Sequence, residues 1–440
     1  MADTARTILY PMNEKHAMAA KRWVNRTVCA IVLATFFSDV SHEMATAVLP
    51  NFIRSVGLGA MALGLIEGLA DFLVSLSKLG GGVLGHHVRH KKPWAALGYV
   101  ITSVCTSAIG LTRTLWAMVT LRTLAWAGRG YRSPLRDYLL ADEVEKTHYG
   151  RAYGLERAGD MLGAVVGPLL AAAMVWLGVP LSTIILWGIV PGLLAAGSLF
   201  FLAREREDGT GGDASRSRDQ NYTEASDKPK PKFPALFWLV IVGVVLFGLG
   251  DFSRTFLILL AAAAIGNEHS MAASASAGEA IGTAVTISFI PMLLYAMHNA
   301  VSAVAAYPAG HVGDRRAKLP VLVAGYALGV VTNVLLAFDS GSIGWLAVVF
   351  VFSGVYYAIE ETLEKAVVAD LIPRELRSLG LGYLACGNAV GDMASSLYVG
   401  ALLHAKRPEW AFGIAAGLGA IGVGWMLFVL PRAEKAPARS

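Results

Sequence analysis

Long apolar stretches set the first limit on how this chain can fold. A helix needs about 20 mostly apolar residues to cross the hydrocarbon core of a bilayer, and the sequence contains twelve such stretches. Only 16% of the 440 residues are charged, against about 25% in an ordinary soluble domain. We therefore expect an integral membrane protein, and we exclude a soluble enzyme, a secreted domain and a disordered scaffold. The stretches cover residues 27–53, 60–84, 94–112, 115–140, 151–177, 181–203, 235–265, 281–309, 320–339, 343–369, 376–403 and 409–430.

The positions of Lys and Arg predict the orientation in the membrane. With a cytoplasmic N-terminus, 25 of the 37 basic residues lie in the tails, linker and loops of the cytoplasmic side, 4 lie on the opposite side and 8 lie within the stretches. Cytoplasmic loops carry such an excess. We expect a multi-pass protein in the lipid bilayer of a bacterial inner membrane, with both termini cytoplasmic. The net charge of +5 is distributed by membrane side and not over one face, which argues against nucleic acid as a partner.

A polar segment divides the chain into two similar halves. Residues 204–234 are rich in charged residues, Ser, Gly and Pro and cannot bury enough apolar surface to fold, so they predict a cytoplasmic disordered linker. The linker separates bundles at 27–203 and 235–430, and the tails cover 1–26 and 431–440. A shift of 228 residues aligns most of one half with the other. The prediction is an all-α integral membrane fold with twelve transmembrane helices in two pseudo-symmetric six-helix bundles.

A short loop after the eighth stretch carries a recognisable motif: residues 310–318 read Gly-His-Val-Gly-Asp-Arg-Arg-Ala-Lys. This loop resembles the cytoplasmic Gly-x-x-x-Asp-Arg loop of the major facilitator superfamily of transporters. The resemblance implies that Asp314 and Arg315 clamp neighbouring helices when the cytoplasmic side is closed. In the first half, His86 and His87 replace this Asp-Arg pair.

Two further elements are similar to members of the family that couple transport to protons. The fifth stretch carries Gly163, Gly167 and Pro168 in a Gly-x-x-x-Gly-Pro element, which looks like that of proton-coupled antiporters; close packing by small residues is the alternative interpretation. In the fourth stretch, Arg122 resembles the arginine that the family associates with proton coupling. The resemblance implies transport by alternating access, with antiport favoured.

Ionisable side chains inside the predicted spans are candidate functional residues, because each is costly in a membrane unless it is paired or wet. Asp39, His42 and Glu43 share one helical face and predict a site for protons, a cationic solute or a metal ion, with ion-paired struts as the alternative. Carboxylate and imidazole ligands suit Fe, Ni or Zn. The other candidates for the coupling and substrate cavity are Glu67, Asp71, Arg122, Asp251, Arg254, His298 and Asn299.

A charge inversion between the halves indicates either a gate or an anion site. The 228-residue shift places Arg132, Arg136 and Asp137 on Glu360, Glu364 and Lys365. We predict that these residues form salt bridges near the cytoplasmic end, made and broken as the halves rock. The alternative is that the Arg residues receive an anionic substrate, since Arg is a preferred partner of phosphate and carboxylate. The acids Glu156 and Asp160 of the fifth stretch can face the same basic stripe.

Together these features predict a secondary transporter. The sequence has no hydrolytic triad, no nucleotide-binding Gly-rich loop and no redox motif, so we expect neither an enzyme nor a cofactor. The expected partners are a small-molecule or ion substrate, protons and the bilayer. We predict proton-coupled export of a small solute, with a transition-metal transporter as the alternative and a non-transporting receptor or assembly partner as a third class.

Overall fold

The protein is all-helical wherever its structure is described. The structure is a computed structural model that describes residues 23–57, 60–205, 232–252, 256–257, 260, 277–338 and 342–434. The first half comprises α1 (Arg26–Ser55), α2 (Ala60–His87), α3 (Lys92–Ala108), α4 (Leu115–Glu143), α5 (Tyr149–Trp176) and α6 (Leu181–Leu202). The second comprises α7 (Ala235–Gly248), α8 (Ala277–Arg316), α9 (Lys318–Ala337), α10 (Ile343–Leu371), α11 (Arg377–His404) and α12 (Pro408–Glu434).

Local sequence explains where several helices begin and end. Gly178 adopts a φ of 76°, which is unfavourable for residues with a side chain, and Pro180 follows it just before α6. The chain turns sharply between α5 and α6 as a result. The sixth helix is itself interrupted, because its α-helical pieces Leu181–Trp187 and Ile189–Gly197 are followed by a π-helical turn at Ser198–Leu202.

Seven of the described helices are long and apolar enough to cross a membrane, namely α1, α3, α5, α6, α9, α10 and α12. The helix α4 is not among them because Arg122, Arg129, Arg132, Arg136 and Asp137 lower its hydropathy. A helix that carries such charges can lie in the bilayer only with those side chains turned towards protein or water. The count of twelve spans in two bundles stays a prediction. The termini and most of the predicted linker lie outside the described residues.

The two halves meet along two helix pairs. Within the halves, α1 packs against α5 and α6, α2 against α4, α8 against α10, and α9 against α12. Between the halves, α2 packs against α11, and α5 against α8. Because the 228-residue repeat relates α2 to α8 and α5 to α11, the two pairs are equivalent to each other.

Glycines allow both crossings to be close at the end of the helices that the sequence predicts to be cytoplasmic. A Cβ atom on Gly82 of α2 would lie 2.9 Å from the Cα atom of Gly382 on α11, and one on Gly150 of α5 would overlap the carbonyl oxygen of Gly310 on α8. Helix backbones touch directly where small residues face each other. The halves are therefore closed against each other on this side.

We expect Gly82→Ala to open the cytoplasmic side. The new methyl group meets backbone atoms that cannot move without separating α2 from α11, and overpacking of this kind costs roughly 1–3 kcal/mol. Spin labels on the cytoplasmic ends of the two helices should report a longer distance. Gly80→Ala makes the same change two residues away, where nothing lies within 4 Å, and should leave the distance unchanged. Equal distances in both variants would contradict the expectation.

Candidate functional site

A central cavity of 230 Å³ lies between the two halves, and its walls carry opposite charges. Among the described residues, the wall from α2, α4 and α5 has five basic and two acidic side chains: Lys78, Arg129, Arg132, Arg136, Arg157, Asp137 and Asp160. The described residues of the opposite wall, from the second half, include five acidic side chains and one basic one: Asp251, Glu360, Glu361, Glu364, Asp392 and Lys365. We refer to these as the basic wall and the acidic wall. The cavity is suited to a polar, charged solute.

Asp39 forms a buried ion pair at the edge of this cavity. Its carboxylate lies 2.9 Å from the guanidinium of Arg129, and Asp39 is only 3% exposed. The same part of α1 contacts the antiporter-like element of α5. A Cβ atom on Gly163 would lie 3.0 Å from the Cβ of Asp39, and one on Gly167 would lie 2.9 Å from the Cβ of Glu43. The two glycines thus let α5 approach α1 at the predicted acidic face.

His42 lies among cationic groups, which argues against the predicted metal site. Its ring is 4.8 Å from that of Trp126, and the guanidinium groups of Arg122 and Arg129 lie 5.4 and 5.5 Å from the same indole. The carboxylate of Asp39 is already paired with the guanidinium of Arg129. Among the described residues, no three His, Cys, Asp or Glu side chains are grouped closely enough to hold a metal ion. Asp39, His42 and Glu43 are therefore not grouped as metal ligands, and the neighbouring arginines would repel a cation bound beside them.

Arg132 lies in the basic wall and forms no salt bridge with a described residue, although Asp39 is close enough to interact with it electrostatically. One Nη donates to the hydroxyl of Ser38 at 2.6 Å, and the guanidinium lies 3.7 Å above the ring of Tyr99. Its Nε and other Nη are buried without a hydrogen-bond acceptor. Arg157 of α5 donates to Asp160 at 2.5 Å, and its Nε and second Nη are likewise buried without an acceptor. Both arginines line the cavity.

The gate predicted from the charge inversion stays a prediction, and in this structure Arg136 and Glu364 each contact other residues. Arg136 contacts acids of its own half, Asp137 at 2.7 Å and Glu156 at 3.0 Å. Glu364 accepts hydrogen bonds from Tyr326 and, at 2.6 Å, from Asn388. Arg136 and Glu364 line the cavity from different halves and are not paired with each other in this structure.

Lys365 makes the connection across the halves instead. Its ammonium group lies 3.9 Å from Asp137 and 3.8 Å from Glu156 of the first half, and 3.5 Å from Glu361 on its own helix. Asp137 and Lys365 are repeat partners, so they meet near the axis that relates the halves. Arg136, Asp137, Glu156 and Lys365 form one connected set of charges, which we call the inter-half cluster.

The rim on the side predicted to be cytoplasmic holds a second set of contacts between the halves. The buried carboxylate of Asp314 accepts hydrogen bonds from the backbone N–H groups of Gly150 and Arg151 at 2.8 and 2.9 Å. A carboxylate in this position caps the start of α5 and interacts favourably with its dipole. Arg315, the other residue of the predicted clamp, is exposed.

The first half closes the rim with different chemistry. His86, the repeat partner of Asp314, places its Nδ1 2.9 Å from the carbonyl oxygen of Glu375. Arg374 forms two hydrogen bonds to Asp142, one of them 2.7 Å from Nη2 to Oδ2. The Asp142–Arg374 pair was not predicted, because no helical spacing relates residues from separate halves.

The remaining candidates fall in three groups. Asp251 lines the cavity and accepts a hydrogen bond from Tyr356 at 2.5 Å. His298 and Asn299 are buried on α8, with 3.3 Å between His298 Nδ1 and Asn299 Oδ1. Neither is among the cavity-lining residues. Arg254 and the side chains of Glu67 and Asp71 lie outside the described part of the chain.

Sequence comparisons and fold comparisons agree with this architecture. The model of the Major Facilitator Superfamily matches residues 31–290 and 252–440. An uncharacterized MFS-type transporter of Methanocaldococcus jannaschii is 28% identical over 410 residues, covering 93% of this chain and 96% of the relative.

Two solved structures share the fold. The human organic anion transporter MFSD10 aligns with a TM-score of 0.65 and 13% identity, covering 91% of this chain and 99% of its own. The E. coli fucose:proton symporter FucP aligns with a TM-score of 0.63 and 13% identity, covering 91% and 98%. At this identity the likeness concerns the fold alone, and it confirms the predicted all-helical fold class.

Proposed function

The chain belongs to the major facilitator superfamily, and we propose that it is a proton-coupled secondary transporter in which Asp39 takes the proton. The family makes it an integral multi-pass membrane protein and points to a non-enzymatic transporter of small molecules. The proton, its site and the direction of transport are our proposal.

The observation that carries the proposal is the buried Asp39–Arg129 ion pair at the cavity edge. Arg129 lines the cavity, whereas Asp39 lies behind it on α1. Protonation of Asp39 removes the charge that holds Arg129 and leaves one more net positive charge on the basic wall. A proton on Asp39 thereby changes the affinity of the cavity for a charged solute, and the solute changes the affinity for the proton by the same factor.

The charge of the solute decides the sign of this coupling. A solute with an anionic group at the basic wall binds better when Asp39 is protonated, because the released Arg129 can contact that group. Proton and solute then bind together and move in the same direction. The unpaired N–H groups of Arg129, Arg132 and Arg157 in this wall favour such co-transport.

Export in exchange for protons, the direction predicted from the sequence, is the second candidate. It is favoured by the contacts of Gly163 and Gly167 with α1 at Asp39 and Glu43, since these glycines belong to the antiporter-like element. Exchange requires that binding of the proton and binding of the solute exclude each other. A solute that places a cationic group beside Arg129 would meet this requirement.

Proteoliposomes containing a pH indicator test both candidates. A panel of small amino acids, carboxylates and amines is added outside vesicles without a pH gradient. Co-transport predicts that a transported solute acidifies the lumen, and exchange predicts that it makes the lumen alkaline. Uptake of a radiolabelled solute with no change in luminal pH would contradict proton coupling altogether.

A further inference from the structure

The indole of Trp126 lies beside the residues to which the proposed coupling is assigned. Resting on that proposed function, we propose that Trp126 is a positioning residue for proton coupling. Its ring receives the guanidinium of Arg129 when Asp39 is protonated, and it thereby sets the proton affinity of Asp39. Trp126 is on the same helix as Arg129, α4, and both side chains line the cavity.

The indole is fixed by contacts on several sides. The Cζ atoms of Arg122 and Arg129 lie 5.4 and 5.5 Å from its ring centre, because these residues stand four positions before it and three positions after it on one helix. The imidazole of His42 on α1 meets the indole edge to face, with ring centres 4.8 Å apart and an angle of 76° between the planes. Aromatic pairs favour this arrangement. The ring therefore has a defined orientation towards Arg129.

Arg129 is shared between Asp39 and Trp126. Its Nη2 lies 2.9 Å from Oδ1 of Asp39, and its distance from the indole is within the roughly 6 Å over which a ring attracts a cation. A closer contact is possible, since Arg132 lies only 3.7 Å from the ring centre of Tyr99. The side chain of Arg129 is 22% exposed, so it has room to move onto the indole once the carboxylate no longer holds it.

Only a contact that differs between the two protonation states of Asp39 can change its proton affinity. When Asp39 is ionised, its carboxylate offsets the charge of Arg129 and holds the guanidinium away from the centre of the indole. When Asp39 is protonated, that offset is lost and the attraction between the guanidinium and the indole becomes stronger. Trp126 therefore stabilises the protonated state more than the ionised one.

Other charged or titratable side chains among the described residues face Asp39 or Trp126. They come from three helices and are His42 and Glu43 of α1, Arg122 and Arg132 of α4, and Asp160 of α5. A substitution at Trp126 leaves all of them in the chain. A change in the proton affinity of Asp39 in such a variant therefore reports the contribution of the ring.

Infrared titration of the full-length protein in lipid membranes tests this role without any solute. A protonated carboxyl group absorbs separately from a carboxylate, and the band that is lost in Asp39→Asn belongs to Asp39. We expect the midpoint of this band to move to lower pH in Trp126→Leu by about one unit, which is tenfold in proton affinity. An unchanged midpoint, or one at higher pH, would overturn the proposal.

A double variant separates positioning from a change in hydration. Loss of the indole also admits water towards Asp39, and water favours the carboxylate whatever Arg129 does. In the Arg129→Gln background, Trp126→Leu should leave the midpoint unchanged if the ring acts through Arg129. The full shift in that background would mean that water or packing is responsible, and it would reject the proposal.

Two single variants complete the test. Trp126→Phe keeps a weaker aromatic face, so its midpoint should lie between those of the unmodified protein and Trp126→Leu. This variant decides the matter if Trp126→Leu does not fold, since a midpoint that does not fall would contradict the proposal. Trp94→Leu, on α3 and 43% exposed, is the control for loss of a tryptophan and should leave the midpoint unchanged.

The outcome is separable from that of the proposed function. A shifted midpoint in Trp126→Leu without any proton movement in the vesicles would support the role of Trp126 and reject proton-coupled transport. Proton movement that depends on Asp39, together with an unshifted midpoint, would support the coupling and reject the role of Trp126. Absence of any carboxyl band that depends on Asp39 would reject both.

Discussion

Asp39→Asn is expected to abolish transport driven by a pH gradient and to leave solute exchange intact. The amide cannot take up or release a proton, so the variant is fixed in one charge state. Arg129 then lacks the carboxylate that it contacts directly, as it does when Asp39 is protonated, and stays available to the solute. In proteoliposomes, gradient-driven accumulation should fall to the level of protein-free vesicles. Exchange of labelled for unlabelled solute, which needs no net proton movement, should continue.

The exchange measurement distinguishes loss of coupling from loss of folding. A misfolded variant would fail in both assays, because it could not bind the solute at all. Glu409→Gln makes the same kind of change at an exposed position at the start of α12 and should behave like the unmodified protein. Gradient-driven accumulation that persists in Asp39→Asn would show that another group carries the proton.

Helix positions were predictable from the sequence because they depend on local composition. The apolar stretch at 343–369 became α10 (Ile343–Leu371), and the stretch at 115–140 became α4 (Leu115–Glu143). The second case is informative, since its charges reduce its hydropathy below that of a simple lipid-facing span. Helical spacing also predicted that Glu156 could face the basic stripe, and it contacts Arg136.

Contacts between the halves were not predictable in the same way. The repeat showed that Arg132 and Arg136 correspond to Glu360 and Glu364, and opposite charges at equivalent positions suggested direct pairing. Residues related by a two-fold axis touch only if they lie close to that axis. Lys365 and Asp137 do, whereas the Arg and Glu residues line opposite walls. Distance from the axis depends on how the halves dock, and no spacing in the sequence reports it.

The role of Arg157 was missed for a related reason. Its spacing of three from Asp160 predicts an ordinary intrahelical ion pair, and that pair is present. The sequence does not show that Nε and the second Nη of the guanidinium lack acceptors, or that Arg157 lines a cavity. That information comes from the packing of α5 against α8 and α10.

Lys365→Gln is expected to destabilise the closed cytoplasmic side more than any other single change in the inter-half cluster. Lys365 is the one member of this cluster from the second half, and its loss leaves Asp137 and Glu156, which are 5% and 1% exposed, with Arg136 as their basic neighbour in the cluster. Removal of one partner from a buried ion pair costs about 3–5 kcal/mol, and the remaining Arg136 reduces that cost. Spin labels across α2 and α11 should shift towards the open distance.

A second substitution tests whether this effect comes from the uncompensated acids. Glu156→Gln in the Lys365→Gln background removes one buried negative charge, so the double variant should recover part of the closed population. Two side chains in contact give a non-additive double-mutant cycle, whereas independent sites add within about 0.5 kcal/mol. Lys232→Gln, at an exposed position before α7, is the control for loss of a lysine. Strict additivity in the cycle would mean that Lys365 does not hold the halves together through Glu156, and closure would then depend on Asp314 and the glycine crossings.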